Sequence, residues 1–194
     1  MTWLEEITAA NGIFRSSIDI NALPVRRAPG PFAIITCMDP RVNLQSVGID
    51  PFKGNGESGS NVRVIRTLGG MAEDRSLAVG IHLAGFKEVA VLMHTDCGCS
   101  LAYTKIDVLI DNLCASLGHE KLAQFKAQIG EPFRGNLRKW LCAFQDPRQA
   151  VSDEVKRIKA KPYVPADVKM HGLLYHLGSG EIEVVVDGGA VKRG

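Results

Sequence analysis

No stretch of the sequence is apolar for anything near the ~20 residues that a helix needs to cross a bilayer, so no membrane span is expected. The chain starts Met1-Thr2-Trp3-Leu4-Glu5-Glu6, with acids where a secretory leader carries a basic patch, and this predicts a soluble, cytoplasmic protein. Positive charge is not concentrated anywhere either. The net charge is only +2, Lys and Arg are interspersed with Asp and Glu, and no window joins a basic stripe to aromatics that could follow a phosphate backbone. Nucleic acid is therefore not an expected partner. Cysteine is scarce and odd in number, five, without the spacings of a disulfide-stapled scaffold, so reduced thiols are expected. Internal repeats and low-complexity tracts are absent. What is there is a chain of 194 residues, long enough for a single α/β domain that buries its apolar surface without a covalent framework.

The pattern along that domain, 1–194, begins with an N-terminal arm to about residue 30. Trp3, Leu4, Ile7 and Thr8 have helical spacing over 3–9, and Asn-Gly and Pro signals before Arg27 are expected to break any continuous element. Phe32 to Cys37 is a short continuous apolar run that suits a strand buried on both faces. Val42 to Ile49 is loosely helical, and a Gly/Asn/Ser-rich loop from Lys53 to Asn61 leads into a second strand, Val62 to Arg66. An amphipathic helix from Arg75 to Gly85 and a buried strand from Glu88 to Met93 complete a βαβαβ alternation. Leu101 to Leu117 is helical by periodicity, a polar, helix-rich insertion runs from His119 to about Ala150, and Val151 to Lys161 reads as a helix closed by Pro162 and Pro165. Two last strands, Lys169 to Leu177 and Glu181 to Val186, flank Gly178-Ser179-Gly180, so the final strand is predicted to lie antiparallel on the sheet edge.

Chemistry gathers at two strand ends. Cys37, Asp39 and Arg41 are spaced i, i+2, i+4, and an extended backbone there would project all three the same way. His94 ends the third strand, and Cys97 falls where the chain should turn into a helix. Open parallel sheets bind ligands beyond the carboxyl ends of their strands, where both clusters meet if strands one and three are neighbours. Two thiolates and an imidazole suit zinc, and three protein ligands leave the fourth tetrahedral position for water or substrate. Asp39 paired with Arg41 would stay ionised, able to accept a hydrogen bond from that water, and Arg41 would keep the acid off the metal.

Cys37-Met38-Asp39-Pro40-Arg41 together with His94-Thr95-Asp96-Cys97-Gly98 resembles the paired signature of the β-class carbonic anhydrases. Val64-Ile65-Arg66 with Gly69-Gly70 and the closing Val164-Pro165 to His171-Gly172 segment extend the resemblance over roughly 31–114 and 151–187. It implies a mostly parallel five-stranded mixed sheet flanked by helices, with the last strand antiparallel. It implies one zinc ion per chain on Cys37, His94 and Cys97, an Asp39–Arg41 dyad, and a homodimer or higher homo-oligomer. The activity implied is hydration of carbon dioxide to bicarbonate by zinc-activated water, faster above neutral pH because two thiolates neutralise much of the metal charge.

Three departures bear on substrate. Leu68 stands where the family usually has a small residue, making the neighbouring wall bulkier and more apolar. Cys99 adds a thiol directly after the motif, for which a buried structural role is expected. The 119–150 insertion is similar to that of relatives that hydrolyse carbonyl sulfide or carbon disulfide, which keeps that reaction open as an alternative. A non-catalytic zinc-binding role is a third reading, disfavoured by the intact ligand set and dyad. Cys114 and Cys142 are expected to be ordinary buried thiols, and His82, His119, His171 and His176 to be structural.

Overall fold

The computed structural model describes residues 2–19, 30–49 and 62–189. Helix α1 (Trp3–Ser17) opens the chain. It runs straight through Asn11-Gly12, where a break was expected. Thr2 and Glu5 form a reciprocal capping box, with the Thr2 N–H donating to Glu5 Oε2 at 2.7 Å and the Glu5 N–H donating to Thr2 Oγ1 at 3.3 Å. One interior glycine costs a helix only about 1 kcal/mol, too little to end it. None of its residues is buried, and Trp3, Leu4, Ile7, Ile13 and Phe14 are exposed. The expected break before Arg27 and the loop from Lys53 to Asn61 lie outside the described residues.

The sheet is formed by β1 (Phe32–Cys37), β2 (Val62–Thr67), β3 (Glu88–His94), β4 (Lys169–Tyr175) and β5 (Ile182–Val186), in the order β2-β1-β3-β4-β5. The pairs β1–β2, β1–β3 and β3–β4 are parallel, and β4–β5 is antiparallel through the His176–Glu181 turn. This is the mixed sheet anticipated from the sequence. Central β1 and β3 are apolar without alternation because neighbours cover both of their faces. On one face Ala33, Ile35, Val89, Val91 and Met93 pack with Leu77 and Ile81 of α2 (Asp74–His82) and Val151, Val155 and Ile158 of α7 (Pro147–Lys159). On the other, Ile34 and Leu92 pack with Val42, Leu44, Ile49 and the thiols Cys37, Cys97 and Cys99.

Several boundaries differ from expectation, each for a local reason. The segment 42–49 holds only a single 3₁₀ turn, Leu44–Val47, started by the Asn43 side chain and stopped by Gly48 at φ 73°. The helix expected over 101–117 is two, α3 (Gly98–Thr104) and α4 (Ile106–Ser116), offset at Lys105 with φ −109° and ψ 34°. The insertion contains α5 (His119–Ile129) and α6 (Phe133–Trp140). Helix α7 starts four residues early, since Asp146 caps it and Pro147 supplies a preset first turn. Cys114 and Cys142 are exposed, not buried. Ile106, Leu109, Ile110 and Leu113 are the α4 residues that join the small cluster with Phe133 and Leu137, which leaves Cys114 outside it.

Candidate metal centre

The chain passes from β1 to β2 on one side and returns to β3 on the other, so the strand order reverses between β1 and β3. That reversal is where an open sheet leaves a crevice at its carboxyl ends. Cys37 ends β1 and His94 ends β3. Cys97 is the N-cap residue of α3. Between them Asp96 takes φ 55°, a left-handed turn that Asp tolerates better than most residues. Cys37, His94 and Cys97 are all buried, and their ligand atoms lie within 4.8 Å of one another, a group that could hold a metal ion. The two Sγ atoms are 3.9 Å apart.

The imidazole has a defined orientation. His94 Nδ1 lies 2.8 Å from the Thr95 carbonyl, which makes Nδ1 the protonated nitrogen and leaves a lone pair on Nε2. Nε2 is buried without a hydrogen-bond partner. Orphaned buried nitrogens are uncommon, and a lone pair facing two sulfurs is chemically a ligand set.

The thiols are not equivalent. The neighbouring Cys99 thiol holds the Cys97 thiol well below its ordinary range despite burial, with His94 adding to the effect. Burial pushes Cys37 up, and the nearby backbone N–H groups of Asp39 and Gly69 only partly offset this. Cys99, next to Cys97 and buried, is pushed up strongly. His94 would be lowered by burial, but the adjacent Cys97 charge takes it above its ordinary value. Negative charge is thus centred on Cys97, which is what a cation would meet.

Asp39 and Arg41 come together in a way alternation did not anticipate. Strand β1 ends at Cys37, and residues 39–41 form a turn in which the Arg41 N–H donates to Asp39 Oδ1 at 2.9 Å. The guanidinium then folds back onto the same carboxylate, Nε at 3.0 Å from Oδ1 and Nη2 at 2.7 Å from Oδ2. These bonds hold the Asp39 carboxyl down at about 2. Arg41 also donates from Nη1 to Asp96 Oδ2 at 2.8 Å and from Nη2 to the Asp96 carbonyl at 3.0 Å, tying the β1 end to the β3 end.

Four further residues shape the site, and the sequence reading gave none of them this part. Arg66, on β2, donates to the carbonyls of Cys37 at 2.9 Å, Asp39 at 3.3 Å and Val42 at 3.1 Å, stapling the loop that carries the dyad. Asp96 anchors Arg41, and Gly69 packs against Cys99, which is 1% exposed. The second of two arginines on β2, one residue before the position that pairs with Cys37, was the available signal for Arg66. Leu68 is 40% exposed on the turn after β2. Among the other histidines, His171 is bonded to Glu88 at 3.0 Å and His82 lies 2.7 Å from the Tyr163 carbonyl.

Comparison with known proteins gives relatives of two named activities. No protein-family model matches the chain. The β-carbonic anhydrase 1 of Mycobacterium tuberculosis is 27% identical over 157 residues, covering 79% of this chain and 80% of its own. The carbon disulfide hydrolase of an Acidianus species is 28% identical over 159 residues, covering 74% of this chain and 72% of its own. In fold, the β-carbonic anhydrase isoform I of Trichomonas vaginalis superposes with a TM-score of 0.76 at 27% identity, over 97% of this chain and all of that one. The fold is that of the β-carbonic anhydrases, as the paired motif implied.

Proposed function

We propose that this chain holds one zinc ion through Cys37, His94 and Cys97 and hydrates carbon dioxide to bicarbonate, with Asp39 and Arg41 orienting the attacking water. The carrying observation is the buried cluster itself. Two thiolates at about 2.3 Å from a tetrahedral zinc are about 3.8 Å apart; here they are 3.9 Å apart with an unpartnered His94 Nε2 facing them. When bound, zinc supplies Lewis-acid chemistry, acidifying water so that it can attack an uncharged carbon near neutral pH. The rest falls to side chains. Asp39, pinned by Arg41, is ionised at any working pH, so it accepts a hydrogen bond from the attacking water without removing its proton. Arg41, held in turn by Asp96, prevents Asp39 from rotating into the ligand set.

Hydrolysis of carbonyl sulfide or carbon disulfide is the second reading. It is favoured by the half-exposed apolar Leu68 and by carbon disulfide hydrolases standing at the same identity as the carbonic anhydrases. The intact dyad argues against a purely metal-binding role. Homo-oligomer formation is also proposed, since α1 leaves its apolar residues uncovered. The protein is read as cytoplasmic, and among the described residues no helix is long and apolar enough to cross a membrane.

Purified protein should contain one zinc per chain and, offered the three gases side by side, turn over at least one, at a rate rising between about pH 7 and 9. Cys37→Ser should lose most of the metal. Full zinc occupancy in Cys37→Ser, or a zinc-replete wild type inert to all three substrates, would refute the proposal.

A further inference from the structure

Glu154 is the one buried carboxylate among the described residues, 3% exposed, and it takes no part in the chemistry proposed above. It sits on α7, on the far side of the 68–72 segment from the ligand set. The backbone of Ala72 is gripped from both sides. Its N–H donates to Glu154 Oε1 at 2.6 Å, and its carbonyl accepts from Arg157 Nη2 at 2.9 Å. Arg157 closes the ring by donating to Glu154 from Nε at 2.7 Å and from Nη2 at 2.8 Å.

The segment that ends at Ala72 touches the ligand set at its other end. Thr67, at its start, pairs with Cys37 in the sheet and accepts from the Met38 N–H at 2.8 Å. A Cβ on Gly69 would lie 2.6 Å from Cys99 Sγ, and one on Gly70 would lie 3.3 Å from the Leu92 carbonyl and 3.4 Å from the Cys37 nitrogen. Both glycines have left-handed backbone, φ 66° and 78°. Two successive glycines have little stiffness of their own, so the register of this segment depends on what holds its ends. One end continues from β2, where Thr67 Oγ1 also donates to the Met71 carbonyl at 2.5 Å. The other end is the Glu154–Arg157 grip.

We propose that Glu154 and Arg157 are positioning residues for the ligand set, fixing Ala72 and through it the close packing of Gly69 on Cys99 and of Gly70 on the Cys37 backbone. The proposal rests on the assignment of Cys37 as a ligand. Outer hydrogen bonds of this kind set ligand orientation and typically change metal affinity by about 10- to 100-fold when lost. Acting one step further out, this pair should sit at the lower end of that range.

The test uses cobalt(II) in place of zinc, because thiolate-to-cobalt charge transfer reports the sulfur geometry independently of activity. Glu154→Leu combined with Arg157→Leu removes both charges together, so no lone buried charge is left, while the Ala72 backbone is released. Val155→Ala on the same helix serves as the control, lowering stability by a cavity without touching Ala72. Cobalt affinity of the double variant should fall about tenfold with a shifted charge-transfer band, and Val155→Ala should show neither. Wild-type affinity and spectrum in the double variant would overturn the proposal. Should that variant not fold, Glu154→Met decides: it removes the acceptor for Ala72 while Arg157 keeps Asp74 as its partner. A severalfold loss of affinity supports the proposal, and an unchanged affinity and spectrum overturns it. Failure of the ligand assignment looks different, as a wild type that takes up no cobalt or a Cys37→Ser protein that keeps the charge-transfer band.

Discussion

Arg41 and Arg157 each bridge two acids, and the two clusters differ mainly in how much water reaches them. Arg41 is 52% exposed and joins Asp39, 17% exposed, to Asp96, 82% exposed. Arg157 is 40% exposed and joins Asp74, 48% exposed, to Glu154, 3% exposed. An ion pair in water contributes at most about 1 kcal/mol to stability, so the fork of Arg41 on Asp39 is better understood as fixing a direction than as holding the fold. Glu154 has no such freedom. Without Arg157 its charge would have neither water nor a counter-charge, only the Ala72 N–H, and the same bonds that neutralise it also tie α7 to the start of α2. One chemistry thus fixes the direction of the Asp39 carboxylate at the open end of the sheet and fastens secondary structure behind it.

The largest effect on folding is expected for Arg157→Ala. Removing one partner of a fully buried pair costs about 3–5 kcal/mol. Partial exposure of Arg157 reduces the expected loss to about 2 kcal/mol in urea unfolding. Arg41→Ala should leave the unfolding midpoint almost unchanged in the same measurement. It should keep its metal and lose turnover by at least about 10- to 100-fold. Equal unfolding midpoints for the two variants would erase the distinction drawn between the clusters, and near wild-type turnover in Arg41→Ala would reduce the dyad to a surface ion pair.

How far these features could be read in the sequence follows the range of the forces involved. The strands were legible because burial on both faces leaves an unbroken apolar run, as in Phe32–Cys37, and the last hairpin because Gly178 and Gly180 mark its turn. The meeting of Cys37, His94 and Cys97 was legible because each sits beside a strand end, where topology gathers them. Helix boundaries were less so. A capping box carried α1 through Asn11-Gly12, and Asp146-Pro147 started α7 before its apolar stripe begins. What stayed hidden was tertiary. The bonds of Arg66 to three carbonyls, of Asp96 to Arg41 and of Glu154 to Ala72 join residues between 24 and 82 positions apart, with no local periodicity to announce them. The exposure of Cys142, at φ 50° after α6, is likewise set by a turn that hydropathy does not encode.

The smallest effect expected, and the finest test of the role of water, is at Asp74. It lies in the first turn of α2 and accepts from Lys161 Nζ at 2.7 Å and from Arg157 Nη1 at 3.5 Å. The Lys161 bond comes first in holding the Asp74 carboxyl below its ordinary range, with burial opposing and Arg157 assisting. A carboxyl whose folded pKa is depressed contributes stability that is present above its unfolded value of about 3.9 and lost as pH falls through the folded value. Asp74→Asn should therefore be slightly less stable than wild type at pH 6, by under about 0.5 kcal/mol for so exposed a pair, and the gap should close as pH drops toward 3. Added salt should narrow it at pH 6 as well, because the charges are within reach of screening ions. Urea midpoints of the two proteins at pH 6 and pH 3 measure this directly. A gap of the same size at both would mean that Asp74 acts through the shape of the helix start and not through its charge.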